Sequence, residues 1–297
     1  MIAFRGAMTA LATPFDPSGS PDVGTLAELV RWQVRSGIQG LVPCGTTGEG
    51  ATLTPDESAR VVQTVVEAAE GKVPVIAGCG SNDTRRTLEA ARRAAQAGAD
   101  ALLVVTPYYN KPNRSGMLAH FRAVAETAER PVIVYNVPGR TGQNLGAELT
   151  LRLAEIPGIV GVKEASGNLE QIAQIIAARP SGFAVFSGDD VLALATVAIG
   201  AEGLISVVSN EAPAEMAAMI SAALEGDLRR AREIHYRLLP LMRANFVETN
   251  PVPVKTALGL LGRCSETVRA PLGPPEPATR ENLRAALRHA GLLEDPR

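Results

Sequence analysis

Short, continuous apolar runs recur along the chain at residues 40–44, 73–78, 101–107, 131–137, 159–165, 183–189 and 203–209, and residues 8–15 supply one more at the front. Their apolar positions do not alternate with polar ones, the pattern of strands buried on both faces of a parallel arrangement. Amphipathic segments rich in Ala, Arg and Glu lie between them, at 25–36, 56–70, 84–97, 115–129 and 168–178. Several begin at Ser, Thr, Asp or Asn and end near Gly or Pro, as helices do. The strand-plus-helix period is about 30 residues, the size of a βα unit. Eight such units predict an α/β fold, a (β/α)8 TIM barrel over residues 1–225. An open doubly wound sheet is the structural alternative. After Gly226 the texture turns helical, with segments at 227–245, 254–261 and 279–290 broken by Pro251, Pro253 and a Pro/Gly-rich stretch. Residues 226–297 are therefore expected to form a C-terminal helical extension packed on the barrel.

Composition narrows the chemistry. The 297 residues are 46% apolar and 20% charged, a globular balance. With 29 Lys plus Arg against 31 Asp plus Glu, the net charge is −2, which gives no electrostatic reason to expect nucleic acid or an anionic membrane as partner. Cys44, Cys79 and Cys264 form no CxxC pair, and His120, His235 and His289 are far apart in sequence, so a zinc site, a disulfide framework or a His-based triad starts with little support. The 45–50 string GTTGEG is glycine-rich but has no phosphate-reaching lysine. The first fifteen residues meet Pro14 early and read as a first strand rather than a signal peptide. The apolar stretch 191–208, broken by Gly200, Glu202 and Gly203, reads as a helix and a buried strand rather than a membrane span. The expected location is the cytoplasm.

In a (β/α)8 barrel the reactive groups sit where strands end, because the following loops converge on the barrel mouth. The apolar runs here end in GTTGE, TPYYNKP, YNVPGRT, KEASGN and SGDD, which places Thr46, Thr47 and Glu49 at that mouth. Lys163 lies inside an apolar run, after Ile159–Val162. It is either a strand-end lysine paired with Glu164 or a desolvated amine with a lowered pKa, able to form an imine with a carbonyl substrate. The other three lysines, Lys72, Lys111 and Lys255, lie in glycine- or proline-rich surroundings where a solvated role is the simpler expectation. Tyr135, on the adjacent strand, is either a core aromatic or a proton relay. Thr46 and Thr47 either bond local backbone or orient that phenol and bind a carboxylate. Arg140 is either a surface arginine or the planar fork that receives a substrate carboxylate.

GTTGE, TPYYNKP, YNVPGRTG, GVKEASGN, FSGDD, GLISVVSN and NPVPVK occur in this order, and over essentially its whole length the chain resembles the dihydrodipicolinate synthase family. GTTGE and the lysine strand mark the wider superfamily of pyruvate-dependent Schiff-base aldolases; Thr46–Thr47, Tyr109 and Arg140 are more specific to the synthases. The resemblance implies a carbon–oxygen lyase of diaminopimelate and lysine biosynthesis that condenses pyruvate with L-aspartate-4-semialdehyde; another 2-oxo-acid aldolase of the superfamily is the alternative. It implies that Lys163 forms the imine and that Tyr135, Thr47 and Tyr109 relay protons, with Tyr109 reaching in from an adjoining subunit. Thr46 and Thr47 then hold the pyruvate carboxylate with their loop amides, the backbone around Ile205 lines the same pocket together with Gly188, and Arg140 receives the semialdehyde carboxylate. No metal or organic cofactor is implied, and dependence on a monovalent cation stays open. The implied assembly is a homotetramer, a dimer of dimers.

One departure carries a regulatory expectation. Lysine-inhibited members of the family hold the effector with a Tyr like Tyr108, an Asn like Asn82, and His and Glu side chains. Here Pro55 and Ser58 replace the histidines and Arg86 replaces the glutamate. A cation in place of an anion repels the effector's ammonium group, so inhibition by lysine is expected to be weak or absent.

Overall fold

The computed structural model describes residues 4–294. The expectation for the first fifteen residues is accordingly met only from Phe4 onward; Met1 to Ala3 lie outside the described residues. The barrel elements are β1 (Gly6–Ala10), α1 (Val23–Arg35), β2 (Gly40–Val42), α2 (Pro55–Ala69), β3 (Ile76–Gly78), α3 (Thr84–Gln96), β4 (Ala101–Val105) and α4 (Arg114–Thr127). They continue with β5 (Val132–Asn136), α5 (Pro138–Thr141), α6 (Gly146–Ala154), β6 (Ile159–Glu164), α7 (Leu169–Ala178), β7 (Ala184–Ser187), α8 (Ala193–Ala198), β8 (Gly203–Ser206) and α9 (Pro213–Leu224). Three further helices follow: α10 (Leu228–Ala244), α11 (Val252–Leu260) and α12 (Pro277–His289).

The eight strands are parallel and ordered β2-β1-β8-β7-β6-β5-β4-β3. A parallel bridge between Leu41 and Val75 joins the two ends, with Leu41 N–H donating to Pro74 O and Gly78 N–H to Pro43 O. The sheet therefore closes, and the open alternative is excluded. Strands are shorter than the apolar runs that predict them. The 73–78 run pairs regularly only from Ile76, because Pro74 has no N–H to give to a ladder. The front strand starts two residues earlier than the 8–15 run and stops at Ala10, before the chain reaches Pro14.

Alternate strand residues serve two cores. Met8, Ala10, Val42, Leu103, Ile133 and Phe186 fill the barrel interior. Leu41, Val104, Val134, Val162, Val185 and Leu204 face the helices. Two-sided burial is why the strands read as unbroken apolar runs. Polar caps set where the helices begin. Asp22, Asp83, Asn113, Asn168 and Asp227 each accept a first-turn N–H, and Thr54 with Glu57 forms a reciprocal capping box on α2. The extension packs α10 on α9, and α12 on both α10 and α11.

Candidate active site

Lys163 and Tyr135 are direct register partners on β6 and β5, so both side chains point into the barrel. The Lys163 amine lies 4.5 Å from the centroid of the Tyr135 ring. Glu164, the next residue, must face the other way; it accepts from Asn136 Nδ2, Gln171 Nε2 and the Ser166 N–H. The pairing of Lys163 with Glu164 is thus excluded by strand alternation. Lys163 instead forms part of a cavity of about 350 Å³ at the C-terminal ends of the strands, shared with Thr46, Thr47, Tyr135, Arg140 and Gly188.

Burial lowers the Lys163 pKa to about 8, with the nearby Arg140 cation pushing the same way and Asp190 opposing both. Relative to an ordinary lysine at 10.5, the neutral amine near pH 7 is enriched about 300-fold. Tyr135 is raised by burial, against the opposing effects of Arg140 and a hydrogen bond with Thr46, so its phenol keeps its proton. Asp190 is buried in the turn after β7, where Ser206 Oγ donates to Oδ1 at 2.5 Å and the N–H groups of Val207 and Val208 donate to Oδ2 at 3.0 and 3.2 Å. It ties the β7 and β8 ends together beside the amine.

The 45–50 loop is bent back on itself. A Cβ on Gly50 would lie 2.1 Å from Cys44 O, so only glycine fits there. Cys44 and Glu49 hold φ of 57° and 53°, left-handed conformations that cost non-glycine residues about 1–2 kcal/mol each. Thr46 and Thr47 lie between them. Thr46 lines the cavity beside Tyr135, while Thr47 Oγ1 accepts from Asn250 Nδ2 at 3.0 Å. Gly188 leaves room for the lysine: a Cβ there would stand 3.1 Å from Lys163 Cε and 2.8 Å from Ala165 Cβ. Arg140 sits exposed at the rim on α5, donating to Asn250 O at 3.2 Å.

The side chains of Ile205 and Tyr109 do not line this cavity within the chain. Ile205 is fully buried in the barrel interior, and Val207 forms the cavity wall after β8. Tyr109 is 88% exposed, with φ 70°. Sequence reasoning also missed Arg243, Phe246 and Asn250, which the extension contributes to the cavity. Lys255 is a correction. It is fully buried rather than solvated, and its amine donates to Glu49 Oε1 at 2.7 Å. The helix expected at 254–261 begins two residues earlier, at Val252, with Pro253 tolerated in its first turn, and it buries the lysine that the proline-rich flank suggested was solvated.

A sequence model of the Dihydrodipicolinate synthetase family matches residues 3–290. The chain belongs to this family. It is 50% identical over 293 residues to the 4-hydroxy-tetrahydrodipicolinate synthase of Maridesulfovibrio salexigens, covering 98% of this chain and 100% of that protein. The chloride-inhibited dihydrodipicolinate synthase of Acinetobacter baumannii, solved in complex with pyruvate, superposes with a TM-score of 0.96 at 41% identity, covering 98% of this chain and 100% of that one. The Cyanidioschyzon merolae family member, solved with lysine bound, superposes with a TM-score of 0.94 at 43% identity, over 98% and 99% of the two chains. Family membership accounts for the barrel and for a lysine buried beneath its mouth. Among the described residues no group of three or more His, Cys, Asp or Glu is placed to hold a metal, and no helix is long and apolar enough to cross a membrane.

Proposed function

We propose that this chain is a 4-hydroxy-tetrahydrodipicolinate synthase that joins pyruvate to L-aspartate-4-semialdehyde through an imine on Lys163. The observation that carries this reading is a buried lysine with its pKa lowered to about 8, facing a protonated tyrosine across adjacent strands. The neutral amine attacks the keto carbon of pyruvate, and the carbinolamine loses water as the phenol supplies the proton. Loss of a methyl proton from the iminium gives an enamine, whose carbon attacks the aldehyde. The amino group of the semialdehyde then displaces Lys163 as the ring closes. The protonated imine is itself the electron sink, so this route needs no metal or organic cofactor.

In this reading Thr46, close enough to Tyr135 to oppose the rise in its pKa, shares the relay role expected of Thr47. Thr47, whose hydroxyl accepts from Asn250, keeps its own proton free for the pyruvate carboxylate. Arg140 at the rim receives the semialdehyde carboxylate. Tyr109 points away from its own chain, which supports the arrangement in which Tyr109 of the partner subunit completes the relay, within a homotetramer working in the cytoplasm. The reading is tested by supplying pyruvate with a panel of aldehydes and measuring condensation. L-Aspartate-4-semialdehyde is expected to give the highest kcat/KM, and Arg140→Ala to lower it mainly through the aldehyde's KM. Preference for an aldehyde without a carboxylate would favour a different aldolase of the superfamily.

A further inference from the structure

The NPVPVK segment places a charged group where the proposed chemistry makes no use of it. Lys255 has no exposed surface; its amine donates to Glu49 Oε1 at 2.7 Å and lies 4.1 Å from the Phe15 ring centroid. Glu49 Oε2 accepts the main-chain N–H of Arg269 at 2.9 Å. Both oxygens of this buried carboxylate are therefore held by the C-terminal extension. Desolvating such a pair is costly, and an apolar pair of the same shape would pack as well or better. The position of Glu49 in the chain gives the pair a purpose beyond stability.

Glu49 ends the bent loop that presents Thr46 and Thr47, and it holds one of that loop's two left-handed non-glycine conformations. The loop's middle is held from the barrel by Thr13 Oγ1, which donates to Gly48 O at 2.7 Å. At its far end Glu49 N–H donates to Thr46 O and Gly50 N–H to Gly45 O, while among the described residues the Glu49 side chain is held by the extension alone. A loop bent against its own preference relaxes when that grip is removed. The residues that move are those facing the cavity.

We propose that the Lys255–Glu49 ion pair is a positioning device, by which the C-terminal extension holds the Thr46–Thr47 loop in the shape that receives the pyruvate carboxylate and thereby sets pyruvate affinity. The inference rests on the reading of Lys163 as the pyruvate-binding amine. A pair that served stability alone would affect melting and leave pyruvate affinity unchanged.

The test compares wild type, Lys255→Met, Glu49→Gln and the double variant, in which neither residue is charged. Glu49→Gln preserves shape and one acceptor oxygen, and Lys255, already held below its usual pKa by burial, can shed its proton, so this variant secures a folded comparison. Arg280→Gln, which breaks the Arg280–Glu266 pair inside the extension, controls for general loosening. For each folded protein, the pyruvate concentration that half-saturates borohydride trapping on Lys163 is measured beside Tm. The expected result is at least a tenfold rise in that concentration for the Lys255 and Glu49 variants, with the Arg280→Gln curve on the wild-type one. Superimposable curves for wild type and a folded Glu49→Gln or double variant would overturn the positioning role, as would an equal shift in Arg280→Gln. Absence of trapping in wild type would overturn the functional reading itself.

Discussion

Lys163 and Glu164 are neighbours in β6 with opposite fates. The lysine faces the cavity and loses its charge readily, whereas the glutamate faces the helices and is satisfied by an amide network. Only the deprotonated amine attacks a carbonyl. The rate of imine formation should therefore rise about tenfold per pH unit below pH 8 and level off above about 8, the value to which burial brings Lys163. Rapid-quench trapping across pH 6–10 measures this directly, and a rise that continued past pH 10 would mean that the amine is not desolvated. Tyr135, shifted upward by burial from an ordinary value of 10.0, titrates above the Lys163 step and should add no inflection near pH 8. Gly188 offers a second check. A methyl group would press on Ala165 Cβ and push Lys163 Cε by a few tenths of an ångström, and since about 1 Å of misplacement costs reacting groups about 100-fold, about tenfold is expected here. Gly188→Ala should lower kcat/KM by about that factor with little change in Tm, a pairing that steady-state kinetics and thermal melting resolve.

At the scale of elements, the strands were legible because two-sided burial demands unbroken apolar runs, and the polar residues ending those runs marked the cavity. The terminal loops and the extension were harder to read. Asn250 meets Thr47 across 203 residues of sequence, and Lys255 meets Glu49 across 206. No periodicity or spacing reports contacts of that separation, and the prolines before Lys255 suggested a solvated role for it even though a helix was expected from 254. In the proposed relay, which of Thr46 and Thr47 serves Tyr135 turns on the bend of a loop strained at both ends. Helices α2 and α3 carry the regulatory prediction. Pro55 and Ser58 lie on α2, and Arg86, with a side chain 74% exposed and 3.8 Å from Asp83, lies on α3. Millimolar lysine should leave the steady-state rate within about twofold of its uninhibited value, because the arginine repels the effector's ammonium group. A sub-millimolar inhibition constant would contradict this.

For the whole molecule, the barrel supplies Lys163, Tyr135, Thr46 and Thr47, and the extension closes their cavity with Arg243, Phe246 and Asn250. In the proposed arrangement, a tyrosine crossing from the adjoining subunit makes activity a property of a tetrameric assembly. Mixed, reassembled tetramers of Lys163→Ala and Tyr109→Phe protomers should recover activity that neither parent has, since some subunits then pair an intact lysine with an intact tyrosine from next door. Failure to recover activity in verified mixed tetramers would place the tyrosine's role within its own chain. Beneath these predictions lies the proposed covalent bond between pyruvate and one particular lysine. The protein is incubated with pyruvate, reduced with borohydride and mapped by peptide mass spectrometry, with Lys163→Ala in parallel. A single reduced pyruvyl adduct on Lys163, absent from the variant, is the predicted result. Folded, catalytically active protein that carries no adduct, or carries it equally on Lys72, Lys111 or Lys255, would contradict the account.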